Sequence, residues 1–361
     1  MAPTCTTSRA KGLGQGTDLW RHQWDVWTAP KVNKFPDDWG MITQADIVVV
    51  GVDGSDDSLA ALAWGCALAG SNGAVHVVCA TSGTEPAPRS LHELENVWTA
   101  PAHAAGVSIT CHFPEGRASA MVVEMANIVG AQMIVVGGHG ASPHRPKMVG
   151  STTHRLLHHS DRPVGVVRSG HVPPLAPGGT AVVGVGNGPA TGAALDWTMA
   201  FAASRKLSVV LIHAVHHEPR FLFYGPVFSM DQAMEKVAYF LDRDELRQWA
   251  EDDLTELAGR LRARPDAVGP QTERGGRPGE HQSEAAERSP NVAAGVNITG
   301  TATLGRPGSV LVEAAADAAV MVMGKHYDGP FSGYFTTATL HHVLTHAQCP
   351  VVVVAQKHGG D

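Results

Sequence analysis

The sequence predicts an α/β protein of two tandem domains, each a five-stranded parallel sheet flanked by helices. Two observations lead to this prediction: the chain repeats itself, and within each copy short apolar runs alternate with segments of helical period. The repeated pairs are Val49–Val52 with Val182–Val185, Ala60–Trp64 with Ala193–Trp197, Gly116–Arg117 with Gly305–Arg306, and Pro163–Val164 with Pro350–Val351. The first two pairs lie 133 residues apart (182 minus 49) and the last pair 187 (350 minus 163), so the second copy contains additional sequence.

Strand and helix patterns alternate regularly along the first copy. Its strand candidates are continuous apolar runs rich in β-branched residues, as expected of strands that helices cover on both faces. They are Ile47–Val52, Ala74–Ala80, Val107–His112, Met133–Gly137 and Val164–Val167. Apolar residues at helical spacing predict the helices Ser58–Leu68, Ser119–Val129 and Ser151–Ser160. This alternation predicts parallel strands joined by right-handed crossovers.

The domain boundaries follow from these elements. We expect the first domain at residues 46–168 and the second at 180–356, with a tail at 357–361. The segment 169–179 is rich in Pro and Gly and is predicted to be the linker.

Two segments lie outside the repeat. The arm at residues 1–45 is predicted to be partly disordered, as termini often are, although its tryptophans at positions 20, 24 and 27 have the spacing of a helix that docks on the domains or on a partner. The insertion at about 217–295 combines a polar helix pattern at Arg243–Ala263 with a Gly/Pro/Glu/Arg-rich stretch of disordered composition.

Composition excludes several classes of function. Of the 361 residues 43% are hydrophobic, and the formal net charge is −7, which argues against a nucleic-acid partner or an anionic membrane. No apolar run approaches the ~20 residues that cross a bilayer. The five cysteines are scattered without CxxC spacing, and no secretory signal is visible. We therefore expect a cytoplasmic protein with reduced cysteines.

A glycine motif follows the fourth predicted strand. Gly137 and Gly140 are followed, nine residues after Gly140, by Gly150 and Ser151, with Thr152 and Thr153 next along the chain. Glycines let a backbone turn tightly around a ligand, and a helix that starts at Ser151 would present unpaired N–H groups to an anion. The motif therefore predicts a phosphate site at the carboxyl edge of the sheet.

A carboxylate follows the first strand. Asp53 comes directly after Gly51-Val52 and before Gly54-Ser55. Pointing into the same crevice, it can accept hydrogen bonds from ribose hydroxyls. The alternative is that Asp53 or Ser55 caps the following helix.

Taken together, these residues resemble the universal stress protein family, in particular its tandem-domain, ATP-binding members. The family signature Gly-x2-Gly-x9-Gly-(Ser/Thr) is matched by Gly137, Gly140, Gly150 and Ser151. The Asp-Gly-Ser after the first strand and the endings His159–Val164 and His346–Val351 also match. The resemblance implies Rossmann-like (HUP-type) domains and covers both copies, but neither the arm nor the insertion.

The resemblance also implies roles for individual residues. Asp53 would contact the ribose, the backbone at Ala80 would contact adenine, and the glycine loop would wrap the phosphates. The full expected ligand-binding set is Gly51, Asp53, Ala80, Gly137, His139, Gly140, Gly150, Ser151, Thr152 and Thr153. His139 stands where the family often has Arg, so Arg145 and Lys147 are alternative sources of positive charge, or else parts of a solvated loop.

The second copy lacks much of this set. Gly186 stands at the place of Asp53, Tyr327 at that of Gly140, Thr337 at that of Gly150 and Ala338 at that of Ser151. A Tyr side chain at that place would fill the phosphate space. We therefore expect one nucleotide per chain, bound in the first domain.

The predicted function is nucleotide-dependent regulation in a stress response, with ATP as the ligand, Mg²⁺ as a candidate companion ion and no catalytic residue. A slow ATPase or an adenylyl-transferring enzyme is one alternative, although the P-loop pattern is absent. A nucleotide-free scaffold is another. Adjacent histidines such as His158-His159 point in different directions on a helix, so no metal site is predicted. The apolar edge strand Val351–Val354 would pair with another strand, in a homodimer or within one chain.

Overall fold

The computed structural model of the chain describes residues 7–8, 47–81, 106–140, 149–170, 172–186, 190–215, 243–263, 295–325 and 333–355. Several residues named above lie outside these ranges: the tryptophans of the arm, Arg145, Lys147 and Tyr327. The insertion is described only at its helix and at its last residue, 295.

The elements alternate as the repeat predicts. After a two-residue strand β1 (Thr7–Ser8), the first domain consists of β2 (Ile47–Gly51), α1 (Asp56–Ala69), β3 (Ala74–Val78), β4 (Ser108–His112), α2 (Ala118–Ile128), β5 (Met133–Gly137), α3 (Ser151–His159) and β6 (Val164–Val167). The second domain consists of β7 (Thr180–Gly184), α4 (Ala190–Arg205), β8 (Ser208–Val215), α5 (Arg243–Ala263), β9 (Ile298–Leu304), α6 (Pro307–Ala314), β10 (Val320–Lys325), α7 (Gly333–His346) and β11 (Val351–Ala355).

Local chemistry explains where α1 begins and where the first strands end. Ser55 is the N-cap of α1, and its hydroxyl accepts from the N–H of Ser58, so the helix starts earlier than apolar periodicity alone predicts. Strand β2 ends at Gly51 and β3 at Val78, shorter than predicted. The residues just beyond them, up to Asp53 and Ala80, form the edge described below.

The strands that the structure describes belong to one sheet, in the order β1-β4-β3-β2-β5-β6-β11-β10-β7-β8-β9. Each domain contributes five mutually parallel strands, and β1 adds to the outer side of β4. In the first domain the chain crosses from β2 to β3 on one side and places β5 on the other. The crevice between the carboxyl ends of β2 and β5 is therefore the switch point at which α/β sheets bind ligands.

The domains meet through their last strands. Strands β6 and β11 pair antiparallel, with Val164 opposite Val353 and Val166 opposite Val351. Of the two pairings that the sequence left open, in a homodimer or within one chain, the structure shows the one within the chain. It leaves neither apolar edge open.

Helices cover both faces of the sheet. One apolar core contains Trp64 of α1 and Trp197 of α4, and the other contains Leu156 of α3 and Leu344 of α7. Gly165 in β6 makes room for the first of these tryptophans, because a Cβ there would lie 2.6 Å from the indole. Among the described residues, no helix is long and apolar enough to span a membrane.

Candidate functional site

A cavity of about 840 Å³ opens at the carboxyl edge of the first domain, where β2, β3 and β5 end and α3 begins. Every residue predicted for the ligand site lines it: Gly51, Asp53, Ala80, Gly137, His139, Gly140, Gly150, Ser151, Thr152 and Thr153. Pockets for small ligands occupy roughly 300–1,000 Å³. The fold thus brings residues from four separate parts of the sequence to one ligand-sized space.

The glycines of the loop lie where side chains would collide. A Cβ at Gly140 would lie 2.8 Å from Oδ2 of Asp53, on the opposite side of the crevice. A Cβ at Gly137 would lie 2.8 Å from the backbone nitrogen of Ser58. The two glycines therefore serve different ends: Gly137 lets β5 approach the start of α1, whereas Gly140 leaves the mouth of the cavity open beside the carboxylate.

Asp53 is held in place by its neighbour Ser55. Its Oδ1 accepts hydrogen bonds from the backbone N–H (3.0 Å) and the hydroxyl (2.6 Å) of Ser55. The same hydroxyl lies 3.2 Å from the carbonyl oxygen of His139, which links the β2 edge to the glycine loop. Ser55 is the helix cap, so Asp53 is a carboxylate positioned at the cavity rather than a cap.

The first turn of α3 faces the cavity without a side-chain cap. Gly150 is its N-cap residue and makes no side-chain cap hydrogen bond, while its own N–H donates to the carbonyl of Gly138 at 2.8 Å. The N–H groups of Ser151, Thr152 and Thr153 occupy the positions that have no acceptor within a helix. Together with the helix dipole, they make this end of α3 suited to an anion.

Thr153 makes a structural hydrogen bond that the sequence did not predict. Its side chain is buried, and its hydroxyl donates to the carbonyl of Gly137 at 2.7 Å. This bond ties the start of α3 to the end of β5. The hydroxyl of Thr153 is therefore already used by a backbone carbonyl, and only the backbone N–H of Thr153 remains for a ligand at the helix start.

His139 is held by a buried carboxylate, Asp57, in the first turn of α1. Oδ2 of Asp57 accepts from the backbone N–H of His139 at 2.9 Å and lies 3.0 Å from Nδ1 of its ring. Oδ1 accepts from the N–H of Ser169 at 2.6 Å. Burial would raise the pKa of Asp57, but hydrogen bonds from Ser169 and His139 outweigh it and lower that pKa. Within the described structure, Nε2 of His139 is buried with no hydrogen-bond partner.

The other side of the cavity is apolar. Its walls are formed by Val52, Val78, Ala118, Val122 and Val136. Ala80 lies at the rim, between Cys79 and Thr81, whose N–H groups bond to carbonyls on the β4 side. Because successive amides of a strand point in opposite directions, the amide of Ala80 points away from β4.

Two basic residues of the cavity were not predicted. His154 and Arg155 lie in the second turn of α3 and line the same space. The helical period could have indicated Arg155, because residues four apart on a helix share a face and Ser151 belongs to the motif. The basic residues considered from sequence, Arg145 and Lys147, are outside the described residues.

The second domain keeps a side-chain hydrogen bond at the end of its first strand but not the chemistry of the site. The hydroxyl of Thr191 accepts from the N–H of Gly186 at 3.2 Å and donates to its carbonyl at 2.9 Å. In the first domain the hydroxyl of Ser58 likewise accepts from a backbone N–H, that of Asp53, and donates to a backbone carbonyl, that of Ser55. No carboxylate side chain is present at Gly186. Helix α7 already begins at Gly333, so Ala338 lies within the helix and its N–H is not at an open end.

Comparisons with known proteins agree with this architecture. The sequence model of the Universal stress protein family matches residues 45–168 and 179–355. Universal stress protein Rv2005c of Mycobacterium tuberculosis (strain ATCC 25618 / H37Rv) is 26% identical over 335 residues, which are 86% of this chain and 97% of that protein. Universal stress protein Rv2624c of the same strain is 28% identical over 179 residues, which are 46% of this chain and 64% of that protein.

Solved structures show the same fold. The crystal structure of a universal stress protein from Archaeoglobus fulgidus DSM 4304 superposes with a TM-score of 0.52 at 16% identity, over 88% of this chain and 100% of that one. The predicted resemblance and fold class are thereby confirmed. Since the family match extends over both copies of the repeat, the chain belongs to the universal stress protein family.

Proposed function

We propose that this protein binds one adenine nucleotide, ATP, in its first domain and acts as a nucleotide-dependent regulatory protein. One observation carries the proposal: the open glycine loop at Gly140 and the uncapped first turn of α3 lie in one cavity with the carboxylate of Asp53. Phosphates fit the helix start and ribose hydroxyls fit the carboxylate.

The remaining surfaces suit the base. The valine-lined wall provides an apolar surface for a planar ring, and a backbone amide such as that of Ala80 can recognise its polar edge. An anion at the start of α3 would also lie within reach of Arg155, the arginine that lines the cavity. Any Mg²⁺ would arrive with the triphosphate.

Binding rather than turnover is favoured by the state of two acid–base groups at the cavity, Asp53 and His139. The carboxylate of Asp53 accepts two hydrogen bonds from Ser55, and Nδ1 of His139 is tied to Asp57. A general base needs a side chain that can reach the attacking water. We therefore expect no multiple turnover, or at most slow hydrolysis.

We propose a single site per chain because Gly186 and Ala338 replace Asp53 and Ser151 in the second domain. The continuous helix α7 through position 338 supports the same proposal.

Mass spectrometry of nucleotide released from the purified chain tests the proposal, with titration calorimetry for stoichiometry. We expect one adenine nucleotide per wild-type chain and clearly less for Gly140→Ala. The matched control is Gly192→Ala in α4, where a Cβ would meet nothing within 4 Å and nucleotide should be retained. Equal occupancy of wild type and Gly140→Ala would contradict the site, and two nucleotides per chain would contradict the single-site proposal.

A turnover assay separates the enzymatic alternative. Purified protein with excess ATP, with and without Mg²⁺, should release no more than about one equivalent of product over hours. Sustained multiple turnover would replace the binding role with an ATPase or adenylyl-transfer activity, and absence of any bound nucleotide would favour a scaffold.

Location and assembly are part of the proposal. The described cysteines, among them Cys66 and Cys349, are buried free thiols, the state that a reducing cytoplasm maintains. A homodimer would need a surface other than β6 and β11, because these strands already pair with each other. Cell fractionation and light scattering test these two points.

A further inference from the structure

Two cations of the second domain bind the carboxyl-terminal ends of two helices of the first. They are Lys325, the last residue of β10, and Arg205, the last residue of α4. Cations at such positions are stabilising, because the last carbonyls of a helix are unpaired and the negative end of its dipole lies there.

Lys325 reaches α3. Its ammonium donates to the carbonyl of Leu157, which lies in the last turn of α3, and its side chain is buried. Burying an ammonium is unfavourable unless it is hydrogen-bonded. The contact is therefore a built feature of the domain interface rather than a surface lysine resting against a helix.

Arg205 reaches α1. One guanidinium nitrogen, Nη1, donates to the carbonyl of Ala67 at 3.2 Å, and Nη2 donates to the carbonyl of Leu68. Both carbonyls lie in the last turn of α1, which has no basic residue of its own there. The second domain supplies the missing charge.

Both helices begin at the cavity. Ser58, in the first turn of α1, and Ser151–Thr153, in the first turn of α3, line it. The helices pack in the two separate apolar cores, on opposite faces of the sheet. The second domain thus holds the far ends of two helices whose near ends line the cavity.

The contacts are not a consequence of the repeat. At the same separations that relate the two copies, Asn72 stands at the place of Arg205 and Gly138 at that of Lys325. Neither residue has a cationic side chain. The two cations therefore belong to the domain that lacks the site chemistry, and the helix ends that they contact belong to the domain that has it.

We propose that Arg205 and Lys325 couple the second domain to ligand occupancy in the first, so that the second domain responds to nucleotide bound at the starts of α1 and α3. This inference rests on the proposed function and assigns the second domain a role in sensing whether nucleotide is bound. Helices transmit displacement along their length as rigid units. By linkage, a contact that tightens when nucleotide binds must also tighten nucleotide binding.

Amide hydrogen exchange with and without saturating ATP, together with calorimetric ATP affinity, tests the coupling in the full-length chain. In wild type, ATP should slow exchange in β10 and α4 as well as at the glycine loop. The double variant Arg205→Met/Lys325→Met should lose the response of β10 and α4 and bind ATP about fivefold more weakly, at the low end of typical coupling.

Two further variants control for charge and for folding. Arg205→Lys/Lys325→Arg keeps both charges and should restore most of the response. Arg260→Met in α5 removes the cation of an exposed pair with Glu256, away from these contacts, and should behave as wild type.

The outcomes separate this inference from the proposed function. A wild-type chain that binds ATP while exchange in β10 and α4 stays unchanged would overturn the coupling alone, and so would a Met variant with an unaltered response. If the Met variant does not fold, the wild-type exchange data decide. A wild-type chain that binds no adenine nucleotide would overturn the proposed function, and this inference with it.

Discussion

Gly140 and Asp53 lie on opposite sides of the crevice, so close that a Cβ on the glycine would come within 2.8 Å of the carboxylate Oδ2. The carboxylate cannot turn aside freely, because Ser55 holds its Oδ1 through two hydrogen bonds. The shape of the loop and the position of the charge are thus a single property of the site.

A double-mutant cycle follows from this relationship. Gly140→Ala should displace the carboxylate and weaken ATP binding about tenfold, because a hydrogen bond to a charged group contributes about 1.5–3 kcal/mol. Asp53→Ala should weaken binding to a similar degree. In the Asp53→Ala background the added methyl meets no carboxylate, so Gly140→Ala should then have little further effect. Calorimetric affinities of the four proteins measure this, and additive losses would show that the two residues act separately.

Asp57 should be the residue on which the conformation of the glycine loop depends. Asp57→Ala removes the buried carboxylate that accepts from the N–H groups of His139 and Ser169, and a hydrogen bond to a charged group contributes about 1.5–3 kcal/mol. We expect a lower free energy of unfolding in urea and weaker ATP binding.

The matched control is its exposed neighbour, Asp56→Ala, which loses only a favourable charge in the first turn of α1. That contribution is about 0.3–1 kcal/mol. Equal destabilisation by the two substitutions would mean that the contacts of Asp57 do not organise the loop.

Arg155 should discriminate between nucleotides by their charge. It lines the cavity one turn beyond the start of α3, so Arg155→Met should weaken ATP binding about three- to tenfold and leave AMP binding nearly unchanged. The difference should shrink at high salt, since Arg155 is exposed. Arg117→Met is the control, because Arg117 does not line this cavity. Parallel losses for ATP and AMP would contradict a phosphate contact.

The parts of the site that the sequence predicts are those that depend on chain order. Four residues of the site lie at or just after the end of a strand, or just before a helix: Asp53, Gly137, Gly140 and Gly150. A parallel sheet is therefore sufficient to bring them together. The fold itself follows from the repeat and from apolar patterns that can be recognised within short segments of the sequence.

The parts that the sequence does not predict depend on side-chain geometry across elements. Asp57 reads as an ordinary acidic residue in a first helical turn, and only packing shows that it faces His139. From the sequence, Arg205 and Lys325 are recognisable only as the last residues of a helix and of a strand. The carbonyls that they contact lie in the other domain, and sequence alone does not predict that contact. The use of the Thr153 hydroxyl by a backbone carbonyl likewise depends on how closely α3 approaches β5.

A buried histidine pair should make the first domain sensitive to acid. His76 of β3 and His112 of β4 are buried, with Nδ1 of the first 2.9 Å from Nε2 of the second. Burial lowers the pKa of His76 to about 4. Burial, and then the charge of His76, lower the pKa of His112 to about 3. Both rings are therefore neutral in the folded protein at pH values where an unfolded chain is already protonated.

The sign of the effect follows from these values. Between the ordinary histidine pKa of 6.5 and the folded values of about 4 and about 3, the unfolded state binds more protons, so the free energy of unfolding falls as the pH falls. Each histidine should contribute a loss of about 2 kcal/mol between pH 7 and pH 5. The double variant His76→Leu/His112→Leu should flatten this dependence in urea unfolding, whereas the exposed His341→Gln of α7 should retain it. An unchanged slope in the double variant would show that other groups control the acid transition.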